Sequence, residues 1–566
     1  MCGDIGAMER AEHPLLSDVA VALALTCVLT AVWAWRDWAN LSALRLPDAD
    51  DLMRLQQIRD WLGGQAFGDL SQHRLGASGV AMHWSRLADL LPAGIISVLD
   101  GAIGRHQAEV VAVIVWAAML LASAIALTGR IAHTVGSDDV AVPAMVIGAI
   151  AYPASTLFVP GRIDHHGLQL VLMLVTVLSV AGRQSLIGGL VAGVASALSL
   201  VVGMEMAPVL AATAALLIVE WIMSGARERM IGFGAGLGGA TLLASLVFHA
   251  AAWDYPACDG FTAISARAAI LAALVPIGLV AFGSKANRGT RMAMATAAAL
   301  MLGGALLAGA PQCLSPYGGV DPLLQRLWLV RVAEAQGLFD APMTVAVGYA
   351  GLPFAGLVAG AWLVWRTRER GWTLLLVLQL TAAAVMAVQL RGAYAGALLA
   401  APALGAAVVA ARRQGALVLA ATWAASAGIF YPMAAQAVVR PQAGSSGASC
   451  TAPDLIVALG KLPPAIVMAP VDTGAPAIAA TRQQLIAGAY HRDGAGDLAM
   501  YDFYRAGPDK AHAIAVRLHV RWVVACDGFA GVPAPFAEQL DRGSAPAWLA
   551  QVASVPSGGR IFEVRR

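Results

Sequence analysis

Pro160-Gly161-Arg162-Ile163-Asp164-His165-His166-Gly167 stands between two apolar runs, 140–152 and 167–182. The loop is too short to fold alone, yet it carries an arginine, an aspartate and two histidines. Charge held at a bilayer edge is costly and usually marks function. The second polar stretch of this kind, Pro47-Asp48-Ala49-Asp50-Asp51, follows the first apolar run of the chain. The two stretches are read as the halves of one catalytic site.

Composition agrees with a membrane chain. Of 566 residues, 59% are hydrophobic and 13% charged, against about 25% charged in a soluble protein. Apolar runs long enough to cross a hydrocarbon core of roughly 30 Å fall at 15–35, 107–128, 140–153, 167–182, 185–203, 207–223, 230–251, 266–283, 292–310, 344–365, 372–388, 395–411 and 416–436. The expected fold is a polytopic α-helical membrane protein of about 13 spans. Residues 1–14 hold Asp4, Glu9, Glu12 and a single Arg10, a poor signal-peptide start, so 15–35 reads as a retained span. The basic residues are dispersed over short loops, and no nucleic-acid partner is expected.

Those loops set an orientation. Arg130, Arg183, Arg227 with Arg229, Lys285 with Arg288 and Arg291, Arg366 through Arg370, and Arg412 with Arg413 fall in alternate loops, which the positive-inside rule places in the cytoplasm. The N-terminus is then cytoplasmic. Loops 36–106, 154–166, 204–206, 252–265, 311–343 and 389–394 and the segment after 436 lie outside. The expected location is a bacterial inner membrane with a periplasmic C-terminal domain. Cys258 and Cys313, and Cys450 and Cys526, share that outer compartment, where bridges are permitted; buried free thiols fit the sequence equally well.

The chain divides into a membrane domain at 1–436, a Gly/Ser-rich linker at 437–448 and a small α/β domain at 449–566. Strands are expected at 465–470, 521–526 and 560–564, with helices near 453–461, 508–518 and 545–552. No GxGxxG or P-loop pattern gives that domain a nucleotide. In the first outer loop, Leu52, Leu55, Ile58 and Trp61 or Leu62 recur at helical spacing, with Asp48 where an N-cap would stand. Residues 82–92 read as a second interfacial segment, and His83 within it is a further site candidate.

Asp48, Asp50 and Asp51 exceed what one helix cap needs, and hard divalent cations favour such carboxylates. Asp164 and His166 share a side if the backbone is extended, and a mixed carboxylate–imidazole set suits Mn²⁺ at least as well as Mg²⁺. His165 and Arg162 flank them. Glu205 is a lone acid between spans, in Met204-Glu205-Met206. Arg331 and Glu334 fall in an apparent helix over 323–338, three residues apart, as a helix pair would. Arg391 stands at an outer edge, where a guanidinium can snorkel or clamp phosphate. His491-Arg492-Asp493-Gly494 reads as a turn, either solvated, which is favoured, or touching substrate.

Asp48-Ala49-Asp50-Asp51 and Gly161-Arg162-Ile163-Asp164-His165-His166-Gly167 resemble the two acidic motifs of the GT-C superfamily of polyprenyl-phosphate-dependent membrane glycosyltransferases. Within it the likeness is to the catalytic subunit of oligosaccharyltransferase. The resemblance covers the membrane domain, about three quarters of the chain by topology. It implies thirteen spans and an outer C-terminal domain. It also implies Asp48, Asp50, Asp51, Asp164 and Glu334 as catalytic residues and a donor phosphate held by Arg391; to these the residues themselves add Arg331 as a second clamp and a divalent ion (Mn or Mg) held by Asp50, Asp164 and His166. The family's second motif carries an extra acid where this one has a histidine. Its Trp-Trp-Asp acceptor motif is missing from the C-terminal segment; Trp253-Asp254-Tyr255 lies in a different loop. Protein N-glycosylation is therefore not expected. The implied reaction moves a sugar or glycan from a polyprenyl-phosphate or -pyrophosphate donor to a glycan or lipid acceptor of the envelope. A transporter or flippase of lipid-linked glycans and a non-catalytic assembly protein are the alternatives. The first of these would carry ionisable residues inside its spans and internal repeats.

Overall fold

Each apolar run becomes helix, because a backbone in hydrocarbon must bond to itself. A computed structural model describes residues 5–315, 317, 319–438, 449–529 and 531–565. Among them, nine helices are long and apolar enough to cross a bilayer, or ten if the bent pair Ala416–Ser426 and Phe430–Val438 is one span. The runs at 140–153, 167–182 and 185–203 form the shorter helices Asp138–Ala149, His166–Ala181 and Leu186–Val202. One apolar helix, Leu90–Ile103, begins at the end of the stretch read as interfacial, 82–92, and runs beyond it. The chain forms two compact units. The first comprises Met1–Ala39, Trp84–Gly318 and Val332–Arg440, and the second Asn40–His83, Gly319–Arg331 and Pro441–Arg566.

In the first unit the helices Leu186–Val202 and Glu228–Val247 pack closely. A Cβ at Gly193 would lie 2.6 Å from the Leu237 nitrogen, so only glycine fits. Two of the basic loops, those carrying Arg229 and Arg370, meet at one end of this unit. Arg370 Nε lies 2.8 Å from Glu220, and its guanidinium donates to the Val180 carbonyl at 3.0 Å. Arg229 lies 3.3 Å from the same glutamate and donates to the Gly182 carbonyl at 2.6 Å. These two arginines cap the C-terminal carbonyls of His166–Ala181, so His166 stands at the opposite end of that helix. Cys258 and Cys313 are bridged, with Cα atoms 5.5 Å apart.

The helix expected over 323–338 is broken. Pro322–Leu327 is a short α-helix capped by Asp321, whose carboxylate accepts from Leu323 N–H at 2.7 Å. Two single 3₁₀ turns, Leu329–Arg331 and Ala333–Ala335, follow. Beyond them Leu338 N–H donates to the Met386 carbonyl, and Leu390 N–H to the Gln336 carbonyl. Backbone pairing with another helix end replaces the intrahelical bonds. Arg331 falls in the second unit and Glu334 in the first, so a helix pair does not account for them.

The second unit holds a five-stranded sheet. Its spatial order is Gln484–Leu485, Ile466–Met468, Trp522–Ala525, Arg560–Val564, Leu549–Ser554. The first two pairings are parallel, with Val467 opposite Leu485 and Trp522, and the last two are antiparallel. The three expected strands are present. The helix expected at 545–552 is instead the edge strand Leu549–Ser554, because its partner for backbone bonding is the neighbouring strand Arg560–Val564. Cys450 and Cys526 are bridged at a Cα separation of 5.2 Å. The linker expected at 437–448 falls, from residue 439 on, outside the described residues.

Residues 40–83 belong to this unit through specific bonds. Leu485 N–H donates to the Arg74 carbonyl at 2.8 Å, and Gly76 N–H returns to the Leu485 carbonyl at 2.8 Å. Arg59 donates to the Ala479 carbonyl at 2.8 Å, and the Tyr490 hydroxyl to the Ala49 carbonyl at 2.9 Å. The helix Ala49–Leu62 therefore packs on protein and buries Asp51, Arg54 and Gln57 as well as Met53, Leu55 and Ile58. That is not the one-sided burial of an interfacial helix.

His491-Arg492-Asp493-Gly494 is not a solvated turn. Arg492 donates to the Met82 carbonyl at 3.1 Å, and Asp493 and Asp497 are both buried. Burial, opposed in part by the Gly496 N–H, pushes the Asp493 carboxyl up to about 8. Burial and then the Asp493 charge raise Asp497, against one bond from Gly488 N–H. A carboxyl whose folded pKa is raised holds its proton better in the folded state, so its contribution is greatest below the unfolded value near 4. That contribution shrinks as pH rises towards 8 and is constant above. Asp493→Asn should raise the melting temperature at pH 8 by about 2–5 °C and leave it unchanged at pH 4, as thermal unfolding of the whole chain would show.

Candidate functional site

The loop at 160–167 is shaped by Gly161, whose φ of 97° a side chain would disfavour. Arg162 N–H donates to the Val159 carbonyl at 3.0 Å, and Gly161 N–H to the Val113 carbonyl at 3.2 Å. The chain then enters the His166–Ala181 helix directly, with His165 as its N-cap residue in helical geometry. Asp164 and His166 therefore meet across a helix entry, not by the two-residue alternation of an extended strand.

Asp164, His165 and His166 are all buried. Asp164 Oδ1 accepts from the His165 backbone N–H at 2.6 Å and lies 2.5 Å from His165 Nδ1. Its Oδ2 lies 3.4 Å from His166 Nε2 and 3.5 Å from Arg162. The other His165 nitrogen, Nε2, lies 3.1 Å from Glu205 Oε1. A carboxylate thus faces each nitrogen of this imidazole. Burial alone would neutralise His165, but the Asp164 and Glu205 carboxylates push it up to about 10. Burial would raise Asp164 too, but His165, His166 and Arg162 hold it well below the usual range. Glu205 is likewise held low against burial by His165, His166 and Arg391.

Arg391, between the helices Arg370–Val388 and Gly392–Ala411, bonds to Glu334 and lies 3.7 Å from Glu205. Glu334 is thus tied to the cluster through Arg391. Three residues missed by the sequence reading join it. Gln169 lies between His166 and Glu205. Tyr394 places its ring 6.4 Å from that of His166, and Trp84 lies 6.2 Å from that of His165. Gln169 was legible in principle, as a polar residue one turn into an apolar run; the two aromatics gave no local signal.

Gly203 closes the cluster. A Cβ there would come within 2.8 Å of Gln169 Nε2 and 3.1 Å of His165 Cδ2. Gly203→Ala should push both side chains out of place and slow any reaction centred on this cluster about 10²-fold, the penalty that about 1 Å of misplacement brings. An unchanged rate in that variant would mean that the cluster has slack.

Among the described residues, Asp164, His165 and His166 offer donor atoms close enough together to hold one ion. His165 already has a carboxylate on each nitrogen, which leaves Asp164 Oδ2 and His166 Nε2 as the pair. Oxygen plus imidazole nitrogen fits a divalent transition ion. The other expected site residues lie in the second unit. Asp48 caps its helix by accepting from Asp50 N–H at 3.2 Å, with Asp50 and Asp51 in the first turn. The His83 ring lies 5.1 Å from that of His491. Arg331 lies near Tyr501, whose hydroxyl donates to the Leu327 carbonyl at 3.2 Å.

By sequence, no family model and no curated protein matches the chain. Solved structures do. The chain is similar to the oligosaccharyltransferase of Archaeoglobus fulgidus in complex with an inhibitory peptide and a dolichol-phosphate: TM-score 0.68 at 15% identity, over 90% of this chain and 69% of that one. The same archaeal enzyme in complex with Zn and sulfate gives a TM-score of 0.64 at 15% identity, over 97% and 73%. Tethered to an acceptor peptide with the NVT sequon, it gives 0.66 at 14% identity, over 98% and 74%. The likeness is one of fold: the chain folds as that archaeal oligosaccharyltransferase does.

Proposed function

We propose that the protein is a membrane glycosyltransferase that moves a sugar or glycan from a polyprenyl-phosphate or -pyrophosphate donor to an envelope acceptor. The reaction is assigned to the outer face of a bacterial inner membrane, with the N-terminus cytoplasmic and the C-terminal domain periplasmic. The observation that carries this reading is the meeting of Asp164, His165, Glu205, Glu334 and Arg391 from separate loops, at the helix end opposite the arginine-rich loops. The similar archaeal enzyme was solved with a dolichol-phosphate and with an acceptor peptide, which supports a lipid-linked donor here.

In this mechanism an acceptor oxygen attacks the anomeric carbon, and the bond from that carbon to the phosphate oxygen breaks. The phosphate leaves on its lipid and the acceptor loses a proton. Arg391 grips phosphate oxygens through its planar fork, with Arg331 named by sequence as a second clamp. Asp164 and His166 would hold a divalent ion, Mn or Mg, which supplies charge neutralisation for the departing phosphate when bound. Asp50 belongs to that ligand set in the sequence reading. An acid among Asp48, Asp50 and Asp51 is assigned the acceptor's proton. Membranes containing the protein, supplied with polyprenyl-linked labelled sugars, should yield a labelled envelope product. Movement of donor across the bilayer without transfer would establish a flippase instead.

A further inference from the structure

Gln169 is fully buried one turn into the His166–Ala181 helix. Its Nε2 donates to Glu205 Oε2 at 2.7 Å, and its Oε1 lies 3.3 Å from His166 Nδ1. An ionised carboxylate only accepts hydrogen bonds. The amide must therefore turn its NH₂ to Glu205, because the reverse would set two acceptor oxygens against each other in a buried site. That leaves the carbonyl for His166, and a carbonyl also only accepts. His166 Nδ1 must carry the proton. In a neutral imidazole the lone pair then sits on Nε2, which faces Asp164 Oδ2 at 3.4 Å.

We infer that Gln169 is a positioning residue. Oriented by Glu205, it fixes the tautomer and ring angle of His166, so that Nε2 is the nitrogen offered to a divalent transition ion beside Asp164. Partners behind a ligating histidine commonly play this part, and their loss costs about 10–100-fold in metal affinity. The arrangement also gives Glu205 a task that its sequence position did not suggest. A lone acid between two spans selects, through one amide, which nitrogen of a histidine on the neighbouring helix is free. The inference rests on the proposed metal-holding role of Asp164 and His166.

The test is Mn²⁺ binding to the purified full chain, followed by electron paramagnetic resonance, with pulsed detection of ¹⁴N coupling. Wild type should bind Mn²⁺ and show imidazole nitrogen. Gln169→Leu should bind about 10–100-fold more weakly and lose the ¹⁴N signal. Gln169→Glu alone sets two carboxylates together and should also bind poorly. The double variant Gln169→Glu/Glu205→Gln should recover most of the affinity and the ¹⁴N signal. There the new carboxylate accepts from His166 Nδ1–H, and the new amide donates to that carboxylate. Unchanged affinity and coupling in Gln169→Leu would overturn the positioning role while leaving the metal site standing. If Gln169→Leu does not fold, a folded double variant without recovered binding overturns it equally. Wild type that binds no Mn²⁺ would overturn the metal reading itself, and this inference with it.

Discussion

Asp164→Asn is expected to lower glycosyl transfer by about 10²–10³-fold while the protein stays folded. The substitution keeps the shape of the side chain and its acceptor for the His165 N–H, which lies 2.6 Å away. It removes the negative charge that His165, His166 and Arg162 converge on. Two consequences follow from that loss. His165 keeps only Glu205 as an ionised partner, so its charge is less well supported. The oxygen facing His166 Nε2 becomes part of a neutral amide and is a poorer ligand for any divalent ion. Both effects fall on the proposed reacting centre, so kcat should drop more than KM rises. The check is a transfer assay over a range of donor concentrations, with size-exclusion and thermal-unfolding profiles to establish folding. Full activity in folded Asp164→Asn would remove the glycosyltransferase proposal.

Arg391→Lys should act on the other parameter. Arg391 is mostly buried and holds Glu334 and Glu205 at once. A guanidinium can keep such contacts and still present N–H groups to a phosphate, whereas an ammonium is a single point charge. Donor KM should rise about 10-fold or more, the cost of one charge-assisted bond of about 1.5–3 kcal/mol, with a smaller change in kcat. Equal KM values for wild type and variant would show that the donor phosphate is held elsewhere. The paired variants Asp50→Asn and Asp51→Asn test the proposed proton acceptors separately. A loss in kcat with an unchanged KM would support that role.

Much of this protein was legible residue by residue. The apolar runs became helices because hydrophobicity and the need to bond backbone within a bilayer are local properties. Asp48 was readable as a cap and the strands at 466–468, 522–525 and 560–564 as strands, whereas the two cysteine bridges were permitted by the sequence and chosen only by the fold. The Asp164-His165-His166 triplet announced itself by charge at a membrane edge. The edge strand at 549–554 did not, since its state depends on a neighbour to pair with. Nor did the grouping of residues 40–83 and 319–331 with the C-terminal segment, which rests on bonds between positions far apart in the chain.

The sequence by itself determined which long apolar runs are helical, which loops carry charge and that Asp164 deserved suspicion. Only the tertiary structure decided that Glu205, Gln169, Glu334 and Arg391 would be its company. The physical reason is that lipid and helix interior are almost equally apolar. Hydropathy therefore says where a helix is, but not which helix lies beside it. Neighbours are chosen by close packing at positions such as Gly193 and Gly203 and by pairing of buried charges, and both are properties of surfaces that exist only once the chain has folded.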